Sequence, residues 1–125
     1  MKLLLVEDDP DQLYLRSLLL KHCGFECFEA STISSALQVA AAQMPRCAMI
    51  DLRLPTEEAG LELIRKLRDR YPQLWIVVLT GTDPSRFSRL PEAALVNDLL
   101  TKPIHSAEMV ARLNAIPPRS PRPGA

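Results

Sequence analysis

Residues 47 to 55 read CAMIDLRLP, and this stretch decides the fold. The run from Cys47 to Ile50 is wholly apolar and ends on Asp51, as a short central strand buried on both faces would. Working outward, two similar runs flank it in the chain, Lys2 to Val6 and Trp75 to Leu79, and two weaker ones follow the same grammar, Phe25 to Glu29 and Asp98 to Thr101. Between these runs the apolar period turns helical. Leu15, Leu18 and Leu19 form one face, and Ile33, Ala36, Leu37, Ala40 and Ala41 a second, with Ser31 or Thr32 placed to cap it. Leu61, Leu63, Ile64 and Leu67 form a third, preceded by Gly60 and closed at Tyr71-Pro72. Met109, Val110, Leu113 and Ile116 follow Ser106 and stop before Pro117-Pro118. The weakest element lies in Pro84 to Leu95, where Pro91 should shorten, kink or restart a fourth helix.

Strands that alternate with helices at this spacing predict an α/β protein: a parallel sheet with helices on both faces, because each right-handed crossover needs a helix to return the chain. At 125 residues, with 47% apolar and 24% charged side chains, the chain is one ordinary globular domain. Residues 1–116 are expected to be that domain. Residues 117–125, rich in proline, read as an extended tail or the stump of a linker. Fifteen basic residues balance 15 acidic ones, which gives no electrostatic footprint for direct nucleic-acid binding. Cys23, Cys27 and Cys47 read as small buried hydrophobes, as expected in a reducing cytoplasm. No apolar run approaches membrane-span length, and MKLLLVEDD meets acid too soon for a signal peptide, so a cytoplasmic protein without membrane contact is expected.

In open parallel sheets, ligands bind beyond the carboxyl ends of the strands, beside the point where strand order reverses. Strand one ends in Glu7-Asp8-Asp9, strand three in Asp51, strand four in Thr80-Gly81 and strand five in Thr101-Lys102-Pro103. If the order is 2-1-3-4-5, these groups converge. Crowded carboxylates repel one another, and a hard divalent cation removes the penalty. Mg2+ takes oxygen ligands, keeps several waters and is satisfied by one or two carboxylates plus phosphate oxygens. Lys102 adds a point charge for a phosphate and Thr80 a hydroxyl donor, which completes the inventory of a phosphoryl-transfer site. Taken singly, each residue has a plainer role. Asp51 could cap a turn, Asp9 and Asp11 suit the first turn of a helix opening at Pro10, Thr80 suits a turn before glycine, and Lys102 could be a solvated charge. Coincidence at four strand ends is what argues against the separate plain roles.

The segments LLLVEDDPDQLYLRSLL, AMIDLRLP, GLELIRKLRDRYPQLWIVVLTG and LLTKP closely resemble bacterial two-component response-regulator receivers, over about Met1 to Ile116. The resemblance implies a flavodoxin-like (βα)5 sandwich with a five-stranded parallel sheet in the order 2-1-3-4-5. It implies that Asp51 is the phosphoacceptor and that Mg2+ is held by Asp8 and Asp51, by Glu7 through water, and by the main-chain carbonyl of Arg53. It makes Thr80 the switch hydroxyl and Lys102 the catalytic lysine, followed by Pro103 in what is usually a cis bond. The phosphoryl donor would be a sensor histidine kinase or phosphotransfer protein. A downstream protein partner would read the face formed by helix four, strand five and helix five. The chain would catalyse its own phosphotransfer and dephosphorylation and no separate turnover.

The sequence departs from that pattern in several places. Leu99 stands where the family usually has a tyrosine or phenylalanine that moves with the threonine. Pro91 and Leu95-Val96-Asn97 replace an alanine-rich helix four and its following glycine, and the loop Pro55 to Gly60 is one residue longer than usual. Arg53 and Thr82 occupy positions that tune dephosphorylation in the family. Two rival functions follow. One is a receiver-like interaction module that signals without phosphorylation, motivated by Leu99. The other is a haloacid-dehalogenase-like phosphatase, whose Asp-x-Asp motif resembles Asp9-Pro10-Asp11, although Leu13 replaces its expected Thr or Val.

Overall fold

The computed structural model describes residues 1–81 and 83–117. Its strands β1 (Lys2–Val6), β2 (Glu26–Ala30), β3 (Cys47–Asp51), β4 (Trp75–Thr80) and β5 (Asp98–Thr101) form one parallel sheet. The order is β2-β1-β3-β4-β5, as expected. Helices α1 (Pro10–His22), α2 (Ile33–Gln43), α3 (Glu57–Arg70), α4 (Pro84–Ser88) and α5 (Ser106–Asn114) alternate with the strands, and a 3₁₀ segment spans Pro91–Leu95.

Strand alternation divides the apolar residues between two clusters, one on each face of the sheet. Leu4, Val6, Ile50, Ile76 and Val78 face α2, α3 and α4, where Ala36, Ile64 and Phe87 meet them. Leu3, Leu5, Met49, Val77 and Leu79 face α1 and α5, where Leu20, Met109 and Leu113 meet them. Each fully buried leucine or isoleucine contributes about 1.5–3 kcal/mol, so the two layers fix β1, β3 and β4 firmly and with them the position of their carboxyl ends.

Several expectations need correction. β2 begins one residue later than its apolar run suggested, at Glu26, and β4 continues through Thr80. Of the predicted Leu15–Leu18–Leu19 face of α1 only Leu19 packs against the core: Leu15 is 63% and Leu18 54% exposed, whereas Ser17 and Leu20 are buried. A leucine-rich helix presents leucines all round, so its period alone does not select a face. α3 starts at Glu57, not after Gly60, with the Thr56 hydroxyl accepting from the Ala59 amide at 3.2 Å. Gly60 lies inside the helix because a Cβ there would stand 1.9 Å from the Leu52 carbonyl oxygen. Cys27 and Cys47 are buried as expected, but Cys23 is exposed at the end of α1. Pro91 restarts the chain as the 3₁₀ segment, leaving α4 five residues long. Thr32 caps α2 with a reciprocal bond from Ser35. Among the described residues no helix is long and apolar enough to cross a membrane. Pro118 to Ala125, the larger part of the predicted tail, and Thr82 lie outside the described residues.

Candidate functional site

The carboxyl ends of the strands are held in line by main-chain bonds that run past the sheet itself. The Glu7 amide donates to Ala30 O at 3.1 Å, the Leu52 amide to Leu79 O at 2.9 Å, and the Lys102 amide to Thr80 O at 2.8 Å. In register, Asp51 lies opposite Leu79 and Thr80 opposite Thr101. The residues just beyond each strand are therefore as fixed as those within it.

Asp51 is 3% exposed, Glu7 2% and Thr80 1%, an unusual depth for polar side chains. The Asp51 carboxylate is fully engaged. One oxygen accepts from the Arg53 amide at 3.0 Å, and the other pairs with the Lys102 ammonium. Glu7 shares a further side-chain hydrogen bond with Asp51, a contact between two carboxyl groups that requires one proton. Their titrations part accordingly. Burial, then the hydrogen bond and charge of Asp51, push the Glu7 carboxyl up to about 8. For Asp51, burial acts upward but is outweighed by the hydrogen bonds from Glu7 and Lys102, the Lys102 charge and the Arg53 amide, which hold it below the ordinary carboxylate range. At neutral pH the arrangement thus presents an ionised Asp51 beside a protonated Glu7.

Asp8 follows Glu7 at the end of β1 and is exposed, and it is not among the residues that line the cleft. Asp51, Arg53, Thr80, Gly81 and Lys102 line a cleft of about 240 Å³ together with Leu52 and Glu57. Leu99 is half-buried in the apolar cluster on the α3 side, in register with Val78, so it lies on the same sheet face as Thr80. Asp9 caps α1, accepting from the Asp11 amide at 2.9 Å and the Gln12 amide at 3.4 Å, and Asp11 stands in the first turn, as their plainer reading predicted. The Lys102-Pro103 bond is cis, as the resemblance implied, and so is Leu54-Pro55.

Two features escaped sequence reasoning. Arg16 on α1 reaches Glu7 at 3.7 Å, and both side chains are largely buried. Glu57 enters the cleft from the start of α3 and pairs with Arg86 of α4 at 2.8 Å. Neither pairing has a local signature, since the partners come from different elements.

The five-stranded fold and the strand-end cluster define a class, and comparison with known proteins identifies it. Residues 3–114 match the response regulator receiver domain, and the chain belongs to that family. It is similar to the probable transcriptional regulatory protein TcrX of Mycobacterium tuberculosis, with 33% identity over 113 residues, which cover 90% of this chain and 48% of TcrX. It is also 33% identical to the photosynthetic apparatus regulatory protein RegA of Rhodobacter capsulatus over 125 residues, covering 97% of this chain and 67% of RegA. The chain thus spans about half the length of TcrX. Among solved structures, the BeF3-activated N-terminal receiver domain of Klebsiella pneumoniae RstA superposes with a TM-score of 0.81 at 28% identity, covering 91% of this chain and 96% of that one.

Proposed function

We propose that the chain is a phosphorylation-dependent switch that accepts a phosphoryl group on Asp51 from the phosphohistidine of a sensor histidine kinase or phosphotransfer protein. The observation that carries this reading is the setting of Asp51: a buried carboxylate at a strand end, held by the Lys102 ammonium and the Arg53 amide in a cleft that Thr80 also lines. A carboxylate oxygen of Asp51 attacks phosphorus, the new O–P bond forms as the P–N bond breaks, and the imidazole departs in line. Lys102 passes from the carboxylate to a phosphoryl oxygen and offsets its charge, and Thr80 donates its hydroxyl to another. Attack by water on the acyl phosphate returns the switch to its starting state.

The site suits a divalent cation. The buried Glu7 Oε2 has no hydrogen-bond partner and the Glu7–Asp51 pair is crowded, so a hard cation next to them would relieve both. Asp8 and Asp51 would hold Mg2+ directly, Glu7 through water, and Arg53 through its main-chain carbonyl. When bound, Mg2+ supplies charge neutralisation on the phosphoryl oxygens.

A downstream protein would read the surface of α4, β5 and α5, and a cytoplasmic location follows from the donor. Incubation with acetyl phosphate and Mg2+ should add one phosphoryl group per chain, measured by intact mass. Undiminished labelling of Asp51→Asn would overturn the assignment.

A further inference from the structure

The charge pairs of α3 divide the α4 region into two parts that are held very differently. The later part is clamped. The Arg68 guanidinium, partly buried, donates to the carbonyls of Leu95 at 3.0 Å, Pro72 at 2.9 Å and Leu74 at 2.8 Å, and to the Asn97 side chain at 2.9 Å. The same Asn97 oxygen accepts from the Ile76 amide at 2.8 Å, and the Asn97 amide donates to Ile76 O at 2.8 Å. Arg65 adds a bond to Glu92 at 2.6 Å. Together these tie the 3₁₀ segment and the start of β5 to α3 and β4 at many points.

Among the described residues the earlier part has one such charged tie, beside the buried side chain of Phe87. α4 is joined to α3 by Arg86 and Glu57, a pair whose side chains are 55% and 29% exposed. Partly exposed pairs of this kind are weak and respond to nearby charge. Glu57 also lines the cleft that holds Asp51, Thr80 and Lys102.

We propose that the Glu57–Arg86 pair is a charge-sensing latch. A phosphoryl group on Asp51 adds anionic oxygens in the cleft that Glu57 lines and repels its carboxylate, which opens the pair. α4 (Pro84–Ser88) is then released, while Arg65, Arg68 and Asn97 keep the 3₁₀ segment in place. The moving surface is α4 alone, hinged before Pro91, where the helix has already ended. This inference rests on the phosphorylation of Asp51 and adds the route by which that charge reaches the surface.

Titration of the full chain with beryllofluoride and Mg2+, followed by amide NMR and hydrogen exchange, tests the latch. At saturation, the amides of Arg86 and Phe87 should lose protection, and those of Ile76 and Asn97 should keep theirs. Arg86→Ala should already show the unprotected α4 before any beryllofluoride is added. Glu57→Gln should tighten beryllofluoride binding on the order of threefold, and the gain should vanish in the Glu57→Gln/Arg86→Ala double variant. A wild type whose α4 amides stay protected at saturation overturns the latch, as does a gain that persists without Arg86. A wild type in which beryllofluoride leaves the Asp51 and Thr80 amides unmoved overturns the phosphorylation reading and the latch with it.

Discussion

The carboxyl ends of β1, β3 and β4 and the edge formed by α4, the 3₁₀ segment and β5 are built on different principles. At the strand ends, the polar groups are side chains carried by backbone that the sheet has already fixed: Glu7, Asp51 and Thr80 are buried because the strand ends that carry them are. At the edge, a five-residue helix and a 3₁₀ segment bury little beyond Phe87, and long charged side chains of α3 do the holding. A receiver needs both kinds of construction. The reacting atoms must be positioned before the donor arrives, and the reporting surface must be free enough to respond to a change of charge.

If the strand-end region is rigid because of backbone packing, the most damaging change should be one that disturbs that packing without touching a charge. Gly60→Ala places a Cβ 1.9 Å from the Leu52 carbonyl oxygen, one residue beyond Asp51. Neither backbone can yield without moving α3 or the end of β3. We expect a loss of about 3 kcal/mol, measured by urea denaturation, together with a sharp fall in acetyl-phosphate labelling. A variant of wild-type stability would show the site end to be more pliant than its packing indicates.

The edge should respond in the opposite way. Arg68→Met keeps the aliphatic stem but removes the donors that satisfy Leu95, Pro72 and Leu74 carbonyls and Asn97. The expected loss is about 2 kcal/mol, smaller because these carbonyls lie close enough to solvent to recruit water. Labelling of Asp51 should stay within about twofold of wild type, since no bond of Arg68 reaches the cleft. A large fall in labelling would join the two regions that the structure keeps apart.

The same contrast explains what could be read from the sequence. Glu7, Asp51 and Thr80 were legible because each follows an apolar run directly, and Lys102 because it follows the end of the fifth strand at Thr101; the topology of a parallel sheet brings strand ends together whatever the loops do. Even the 3₁₀ restart was foreshadowed by Pro91. The edge was not legible, because its contacts join residues far apart in the chain. Arg68 meets Leu95 across 27 positions and Asn97 across 29, and Arg86 meets Glu57 across 29. No period or motif encodes such a pairing. The α1 face was misjudged in part for a different reason: Leu13, Leu15, Leu18, Leu19 and Leu20 surround the helix, and tertiary packing buries Leu20 and Ser17, sets Leu13 and Leu19 against the core and leaves Leu15 and Leu18 exposed. Gly60 seemed a boundary when it is an accommodation to the Leu52 carbonyl, an approach visible only in three dimensions.

A third test addresses the electrostatics of the strand ends. Glu7 titrates near 8 in the fold against an ordinary value of 4.5, so between these values the native protein binds a proton that the unfolded chain has lost. Stability from this group is full below 4.5 and declines as pH rises through 8. Asp51 has the opposite sign, and its contribution is lost only as pH falls below 3.8. Metal-free protein should therefore lose stability as pH rises from about 4.5 to about 8, and Glu7→Gln should flatten that slope. Urea midpoints for both proteins at several pH values between 4.5 and 8 check this, and parallel curves would remove Glu7 from the account.

The smallest effect is expected at Leu99, where the two regions come closest. Its side chain shares a sheet face with Thr80 and packs at the margin of the α3-side cluster, yet it belongs to β5, whose preceding residue Asp98 is fixed by Arg112 of α5 at 2.6 Å. An aromatic residue at this half-buried position can direct its added bulk outward, so Leu99→Tyr should change stability by less than about 1 kcal/mol. If α4 responds through Glu57 and Arg86, the Asp51 labelling rate and the beryllofluoride-induced loss of α4 protection should both be unchanged. If Leu99→Tyr instead spreads the response from α4 into β5, then the leucine is what confines it. The identity of one side chain on the edge strand would then decide how far the charge on Asp51 is felt.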